Sequence, residues 1–430
     1  MSKNPGDIVT FSTPDLQAIL DARLTPPPFL KGDLEILSEK SPPPRIIHRE
    51  REMQRIIEVL SSAVMRSHPS HIVIYGKTGS GKTACTNRAL EMFKGHPKLP
   101  REFVPVYVNC RNQVSHHGLL IGIMSKLEPE TKVFSNIAAH ELHQMVLSAI
   151  KKINGNVVVV LDEVHQLVKV GGFDALYTLS NLESELEGTK STVSIVAISN
   201  DLRFLEKLDA PIQSRLAAAK LLFTPYTQLQ LAEILRERVS LVFTTEGLAQ
   251  GVVEYAAALA ARTHGDARQA IALMRKAVDV AAREGADQVH EEHVRQARGE
   301  LELDMIAEGI RGLTLHDKMV LYAIASLSKN PRLANNFHVG KIYDSYANVC
   351  KNLGVDSMVM RSVVRSISDL ADQGFVKSEV RAIGASRGRS TIVTMSVPTE
   401  STLRVLQEDS LFERTRENNP KTTTLDGFGG

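Results

Sequence analysis

The chain has 430 residues, a formal net charge of +2, and apolar and charged fractions of 43% and 23%. This is long enough for two or three domains of ordinary soluble composition. The charge is too balanced for whole-molecule attraction to nucleic acid, so such a partner would need a local basic patch. Three dispersed cysteines, Cys85, Cys110 and Cys350, and fourteen histidines without ligand spacing argue against a disulfide framework or a zinc site. No apolar run approaches the ~20 residues that span a bilayer.

The N-terminal "MSKNPGDIVTF" lacks the basic-then-apolar layout of a secretion signal, so a soluble cytoplasmic protein is expected. Residues 1–45 carry "TPPPFL" and "SPPPR", proline runs that favour extended backbone and read as an arm. From 46 to 224, strand runs alternate with helical patterns. "HIVIY", "FVPVYVN", "NVVVVL" and "VSIVAIS" lack polar alternation and suit strands buried on both faces of a parallel sheet. The fold class is therefore α/β. From 225 to 300 apolar residues recur at three- and four-residue spacing, the pattern of a small helical bundle, with Asp266 in "HGD" as a helix N-cap. Residues 301–312 read as a linker. From 313 to 398, three helical patterns precede "FVKSEVRA" and "STIVTMSV", the element order of a winged helix. Residues 399–430 read as a tail.

"GKTGSGKT", Gly76-Lys77-Thr78-Gly79-Ser80-Gly81-Lys82-Thr83, followed by Ala84, matches GxxxxGK[ST] between a strand and a helix. Its glycines let backbone N–H groups cradle phosphate oxygens at a helix N-terminus. Lys82 would reach the β- and γ-phosphates of ATP, and Thr83 would ligate Mg²⁺. "VVVVLDEVHQL" delivers Asp162 and Glu163 to the C-terminal end of a buried strand, where ligands of open α/β sheets sit. Asp162 would hold Mg²⁺ and Glu163 would polarise the attacking water. Asn200 ends the next strand and can orient that water. Arg268 opens a helix, an electrostatically unfavourable place for a cation that calls for a compensating anion. Arg215 in "PIQSRL" is a candidate arginine finger toward a neighbouring subunit's nucleotide.

In the last third, Ser357 to Ser390 holds six basic residues against three acidic ones. On the third helical pattern Met360, Val363, Val364, Ile367 and Leu370 form an apolar stripe, with Arg361, Ser362 and Arg365 on another face. That division suits a recognition helix in a major groove. Arg381, Arg387 and Arg389 in "RAIGASRGRS" would sit on the wing and meet phosphates or a narrow minor groove.

Together these residues resemble a AAA+ ATPase: Walker A at Gly76–Thr83, Walker B ending at Asp162-Glu163, sensor 1 at Asn200, box VII at Arg215 and sensor 2 at Arg268 in "GDARQAI". "HREREMQRI", "VYVNCRN", "LDEVHQL" and "GDARQAIALMRKA" are similar to the archaeal origin-recognition initiators of the Orc/Cdc type. The resemblance implies a AAA+ P-loop sheet, a helical lid and a C-terminal winged helix. It implies ATP or ADP with Mg²⁺ in a slowly turning-over switch, and an adenine pocket lined around His48 and Arg49. It also implies an inserted helical DNA-contacting element within about Asn112 to Leu142. Implied partners are double-stranded origin DNA, the replicative helicase and other initiator subunits. The terminal "TTTLDGFGG" is similar to a sliding-clamp peptide, with Leu425 and Phe428 in its apolar slots. A AAA+ ATPase of transposition or transcription regulation, and a signalling NTPase whose winged helix docks protein, are the rival readings.

Overall fold

The computed structural model describes residues 26–66, 70–113, 115–131, 136–216, 219–263, 265–329, 336–383, 387–409 and 412, with only the backbone described at 66, 381–383 and 387–390. In chain order the first layer comprises α1 (Glu50–Arg66), β1 (Ile72–Gly76), α2 (Lys82–Phe93), β2 (Phe103–Asn109), α3 (His116–Leu127), α4 (Ala139–Ile153) and β3 (Asn156–Asp162). It continues with α5 (His165–Lys169), α6 (Phe173–Glu185), β4 (Thr192–Ser199), α7 (Ala210–Leu216) and β5 (Ala219–Phe223). The five strands are parallel in the order β2-β3-β4-β1-β5. This order places the C-terminal ends of β3 and β4 beside that of β1, so Asp162, Asn200 and the glycine loop share one edge.

β3 shows why the sheet is buried on both sides. Val157, Val159 and Leu161 enter one core with residues of α3, α4 and α6. Val158 and Val160 enter the opposite core with residues of α1 and α2, as the two-residue period of a strand requires. Each such valine contributes about 1.5–3 kcal/mol by leaving water. β5, which no apolar run announced, is one of the two edge strands, with Lys220 and Leu222 exposed.

The lid comprises α8 (Gln228–Val242), α9 (Val252–Thr263) and α10 (Ala267–Glu284). α8 begins with a capping box between Thr227 and Gln230, which satisfies orphan N–H groups at the helix start. The arm is not free of this domain. Phe29, 1% exposed, stacks on Phe243 with ring centroids 6.2 Å apart, and Lys31 N donates to Val242 O at 2.8 Å. A single 3₁₀ turn, Leu34–Leu37, follows and buries Leu37.

The chain divides into two units, Met1–Arg295 and Gln296–Gly430. Of the residues expected to link the domains, 301–311 are helical, because α11 (Glu291–Arg311) runs through them, and Gly312 forms a turn. The second unit continues with α12 (Leu315–Ser328), β6 (Phe337–His338), α13 (Val339–Leu353), α14 (Met360–Asp372), β7 (Val376–Ile383), β8 (Arg387–Met395) and α15 (Thr399–Glu408). Its sheet has the order β6-β8-β7, antiparallel. The expected tail therefore begins too early. Leu403, Leu406 and Phe412 are buried in the core of this unit, and Phe412 stacks on Tyr322 at 4.7 Å. The stripe on α14 also needs correction: Val363, Ile367 and Leu370 are buried, whereas Met360 and Val364 are 46% and 43% exposed. Leu425 and Phe428 lie outside the described residues.

Candidate functional site

β1 ends at Gly76 and the chain turns through Gly79 (φ +69°) and Gly81 (φ +94°) before α2 starts at Lys82. Both φ values fall in the left-handed region that side chains disfavour. Gly79 is constrained a second time, since a Cβ there would lie 1.6 Å from Asp266 Oδ1. Lys82 is buried, and its ammonium donates to Gly76 O at 2.9 Å and Lys77 O at 2.7 Å. Burial pushes its pKa down to about 8, with Arg268 adding to the effect and Asp162 opposing it. Ser80 Oγ donates to Lys77 O at 2.8 Å and closes the turn.

Asp162 gathers the opposite wall. Thr83 Oγ1 donates to Asp162 Oδ2 at 2.9 Å, and Glu163 N donates to Asp162 Oδ1 at 2.9 Å. Tyr107 OH also donates to Asp162 Oδ2, at 2.5 Å. Burial, reinforced by that bond, pushes the Tyr107 hydroxyl pKa upward and keeps it a donor. Tyr107 was not expected from sequence. β2 pairs with β3 so that Asn109 faces Asp162 and Tyr107 faces Val160, which makes Tyr107 a same-face diagonal neighbour of the carboxylate. Glu163 has φ +55°, a conformation that costs a non-glycine residue about 1–3 kcal/mol and is tolerated where function over-determines it.

Asn200, Glu163, Arg268, Lys82, Thr83, Ala84 and Asp162 all line one cavity of about 1360 Å³. Thr78, Gly79 and Gly81 line it as well. Asn200 is held from behind, its N–H donating to His165 Nδ1 at 3.3 Å; burial lowers the pKa of that imidazole, with Lys169 adding to the effect, so it stays an acceptor. Asp266 caps α10 by accepting from Arg268 N at 2.8 Å. The exposed Arg268 side chain has no ion-pair partner among the described residues. Arg215 on α7 is exposed, lies outside the cavity, and has its guanidinium carbon 6.0 Å from the Tyr177 ring centroid.

His48 and Arg49 are placed differently from the expectation. Neither lines the cavity; Ile46, Ile47, Glu50 and Met53 do. His48, at φ +62°, turns its ring to Glu233, with Nε2 2.8 Å from Oε2 but without hydrogen-bond alignment. Arg49 is buried under the glycine loop. Its Nε donates to Ser80 O at 3.0 Å, Nη1 meets Glu52 at 2.7 Å, and its plane lies 4.1 Å from the Tyr226 ring centroid. It braces the loop from behind, an interaction of the kind cation–π stacking favours for arginine.

The hard oxygens of Thr83 and Asp162, 2.9 Å apart, suit Mg²⁺, which takes one or two protein oxygens beside phosphate and water. The residues present therefore fit the ion.

In the second unit Arg361 and Arg365 are exposed on α14, Ser362 is half-buried, and neither arginine has a partner among the described residues. β7 and β8 form the expected hairpin, with Arg381 opposite Ser390, Ala382 opposite Arg389 and a register shift before Ile383–Arg387. The side chains of Arg381, Arg387 and Arg389 lie outside the described residues. Where the inserted element is expected, within 112–142, the chain forms α3, which buries Leu119, Leu120, Ile123 and Met124, and the start of α4.

Comparison with known proteins gives matches along the whole architecture. Residues 65–205 match the model of the AAA domain, 232–299 that of the Cdc6 AAA+ ATPase-type lid domain, and 308–405 that of the CDC6 C-terminal winged helix domain. An ORC1-type DNA replication protein 1 of Sulfurisphaera tokodaii is 35% identical over 374 residues, which cover 87% of this chain and 92% of that protein. The ORC1-type DNA replication protein 1 of Aeropyrum pernix is 35% identical over 369 residues, covering 85% and 92%. The structure of the Aeropyrum pernix ORC1 protein in complex with DNA superposes with a TM-score of 0.76 at 33% identity, covering 91% of this chain and 100% of that one.

Proposed function

Because the chain belongs to the ORC1/Cdc6 family of AAA+ ATPases, we propose that it is an ATP-dependent initiator of DNA replication that grips origin DNA with its winged helix and its ATPase domain. The observation that carries this reading is the near-complete superposition on an ORC1 protein in complex with DNA. The arginines of α14, without partners among the described residues, supply a local basic face on a chain of net charge +2. Family membership favours this reading over the transposition, transcription-regulation and signalling alternatives.

The domain division proposed is an ATPase base over 46–224, a lid over 225–300 and a winged helix from 313, extended to Phe412 by its buried α15 side. In the nucleotide site Lys82 exchanges its bonds to Gly76 O and Lys77 O for phosphate oxygens. Thr83 and Asp162 hold Mg²⁺, which when bound neutralises charge on the phosphates. Glu163 accepts a proton from the attacking water, Asn200 positions that water, and Arg268 supplies the cation that α10 otherwise has no reason to place at its start. Arg215 serves a neighbouring subunit's nucleotide, in keeping with its exposure outside its own cavity. Arg361, Ser362 and Arg365 enter a major groove while Arg381, Arg387 and Arg389 follow the adjacent backbone. Hydrolysis is a slow switch that changes the populations of two states, and the DNA-bound state recruits the replicative helicase beside other initiator subunits in the cytoplasm. Nuclease protection of DNA from the organism's own origin, with ATP, with ADP and without nucleotide, tests the reading. Protection of a discrete repeat is expected, and coverage indistinguishable from random duplex in all three conditions would overturn it.

A further inference from the structure

The second half of the arm, with the residues that lead into α1, is held at both ends by parts of the nucleotide domain. Its first half is fixed to the lid: Lys31 N and Gly32 N donate to Val242 O at 2.8 and 3.1 Å, and Arg275 Nη2 lies 2.8 Å from Glu35 Oε1. Its far end is fixed to the glycine loop by Arg49, through Ser80 O. Between these anchors, residues 39–47 form one wall of the cavity, stiffened by Pro42, Pro43 and Pro44, whose φ is locked.

Arg238 on α8 grips the middle of this wall. It is 4% exposed and lines the cavity, yet no carboxylate pairs with it among the described residues. Its guanidinium donates from Nη1 to Ile36 O and from Nη2 to Ser41 O at 2.9 Å. A buried charge held by two main-chain carbonyls is costly unless its hydrogen-bonding geometry is used. Here the rigid fork ties two points of the strap five residues apart. Glu233 and Glu237 continue the grip on the same face of α8, toward His48 at 2.8 Å and Arg45 at 3.8 Å.

We propose that Arg238 is a positioning residue that latches the 36–48 strap across the nucleoside side of the cleft, so that nucleotide release requires α8 to let go of the strap. The proposal rests on the nucleotide-binding reading above and adds to it the element that controls exchange. On the nucleotide reading the phosphate end falls to the glycine loop, Thr83, Asp162 and Arg268, none of which Arg238 bonds, so the latch acts on nucleosides and not on bare phosphate chains.

The full-length protein tests this with two probes, fluorescent ADP and inorganic tripolyphosphate. Arg238→Met is expected to speed ADP release about tenfold, the loss of roughly one charge-assisted hydrogen bond, with tripolyphosphate affinity unchanged and Arg238→Lys restoring part of the residence time. Phe29→Ala combined with Arg238→Met is expected to add little, because both free the same strap. Glu233→Gln, an exposed change that leaves the core intact, is expected to speed release a few-fold. Wild-type ADP release from a folded Arg238→Met protein overturns the latch, as does equal loss of ADP and tripolyphosphate. Should Arg238→Met not fold, unchanged release from Glu233→Gln overturns it. A wild-type protein that binds neither probe overturns the nucleotide reading itself, a result distinct from either.

Discussion

Lys82, Thr83 and Asp162 are each bonded to other protein atoms within the cleft, whereas Arg361 and Arg365 project from α14 with no described partner. The cleft is built in advance: Lys82 and Asp162 are buried, oriented and already bonded, so a ligand must match fixed geometry. The helix face is left open, and on the proposed reading its binding energy would come from charge brought near a polyanion, which tolerates imprecise placement and responds to salt. On that reading one chain carries a preformed site in one unit and an electrostatically driven surface in the other.

The sharpest way to break this comparison is to remove Lys82. Lys82→Ala is expected to weaken ATP binding about a thousandfold through loss of two charged hydrogen bonds, seen by fluorescent-nucleotide titration, while nucleotide-independent DNA affinity persists. Equal loss of both would mean that the two surfaces are not separable. Phe412→Ala should strike the other unit, destabilising it by about 3 kcal/mol through a cavity beneath Tyr322. Thermal unfolding should show a lowered transition with ADP affinity retained; an unmoved transition would return Phe412 to the tail. The pair Arg361→Ala and Arg365→Ala should cut DNA affinity roughly tenfold and shallow the log–log salt slope by about 2. An unchanged slope would take α14 out of the interface.

The smallest effect is a pH dependence. Burial lowers the Lys82 pKa to about 8, so in the free protein the ammonium is fully present below that pH and is lost as pH rises through it. ADP affinity should therefore be flat at neutral pH and decline several-fold between about pH 8 and 9.5. Salt dependence of DNA binding at the arginine face, which stays charged throughout, should not follow the same curve. A titration without an inflection near 8 would mean that Lys82 stays charged in the cleft.

What could be read from the sequence was what lies close together in it. The glycine loop is eight consecutive residues and β3 a run of five apolar ones, so pattern alone located Lys82, Asp162 and Glu163. Contacts made across the fold left no such trace. Tyr107 reaches Asp162 only because β2 pairs with β3 in one register, and Arg238 meets Ile36 and Ser41 from about two hundred positions away. Residues 301–312 look like a linker because the apolar residues of α11 are spread among charged ones, yet Ile306 and Ile310 are buried in the core of the second unit and pairs such as Arg298–Glu302 at 2.9 Å support the helix. The tail hid α15 because only a few of its side chains, Leu403 and Leu406 among them, turn inward. His48 and Arg49 were misplaced because a residue's neighbourhood in sequence does not say which way its side chain faces.

Gly79 and Asp266 carry one more consequence. The N-cap carboxylate of α10 occupies the volume that a methyl group on the phosphate loop would need, so loop and lid are fitted to each other like a door to its jamb. A single added carbon at Gly79 would act as a wedge and would also strain the loop at φ +69°, holding the lid ajar and shortening ADP residence. A Gly79→Ala protein that kept ADP as long as its parent would show that the aspartate can step aside freely.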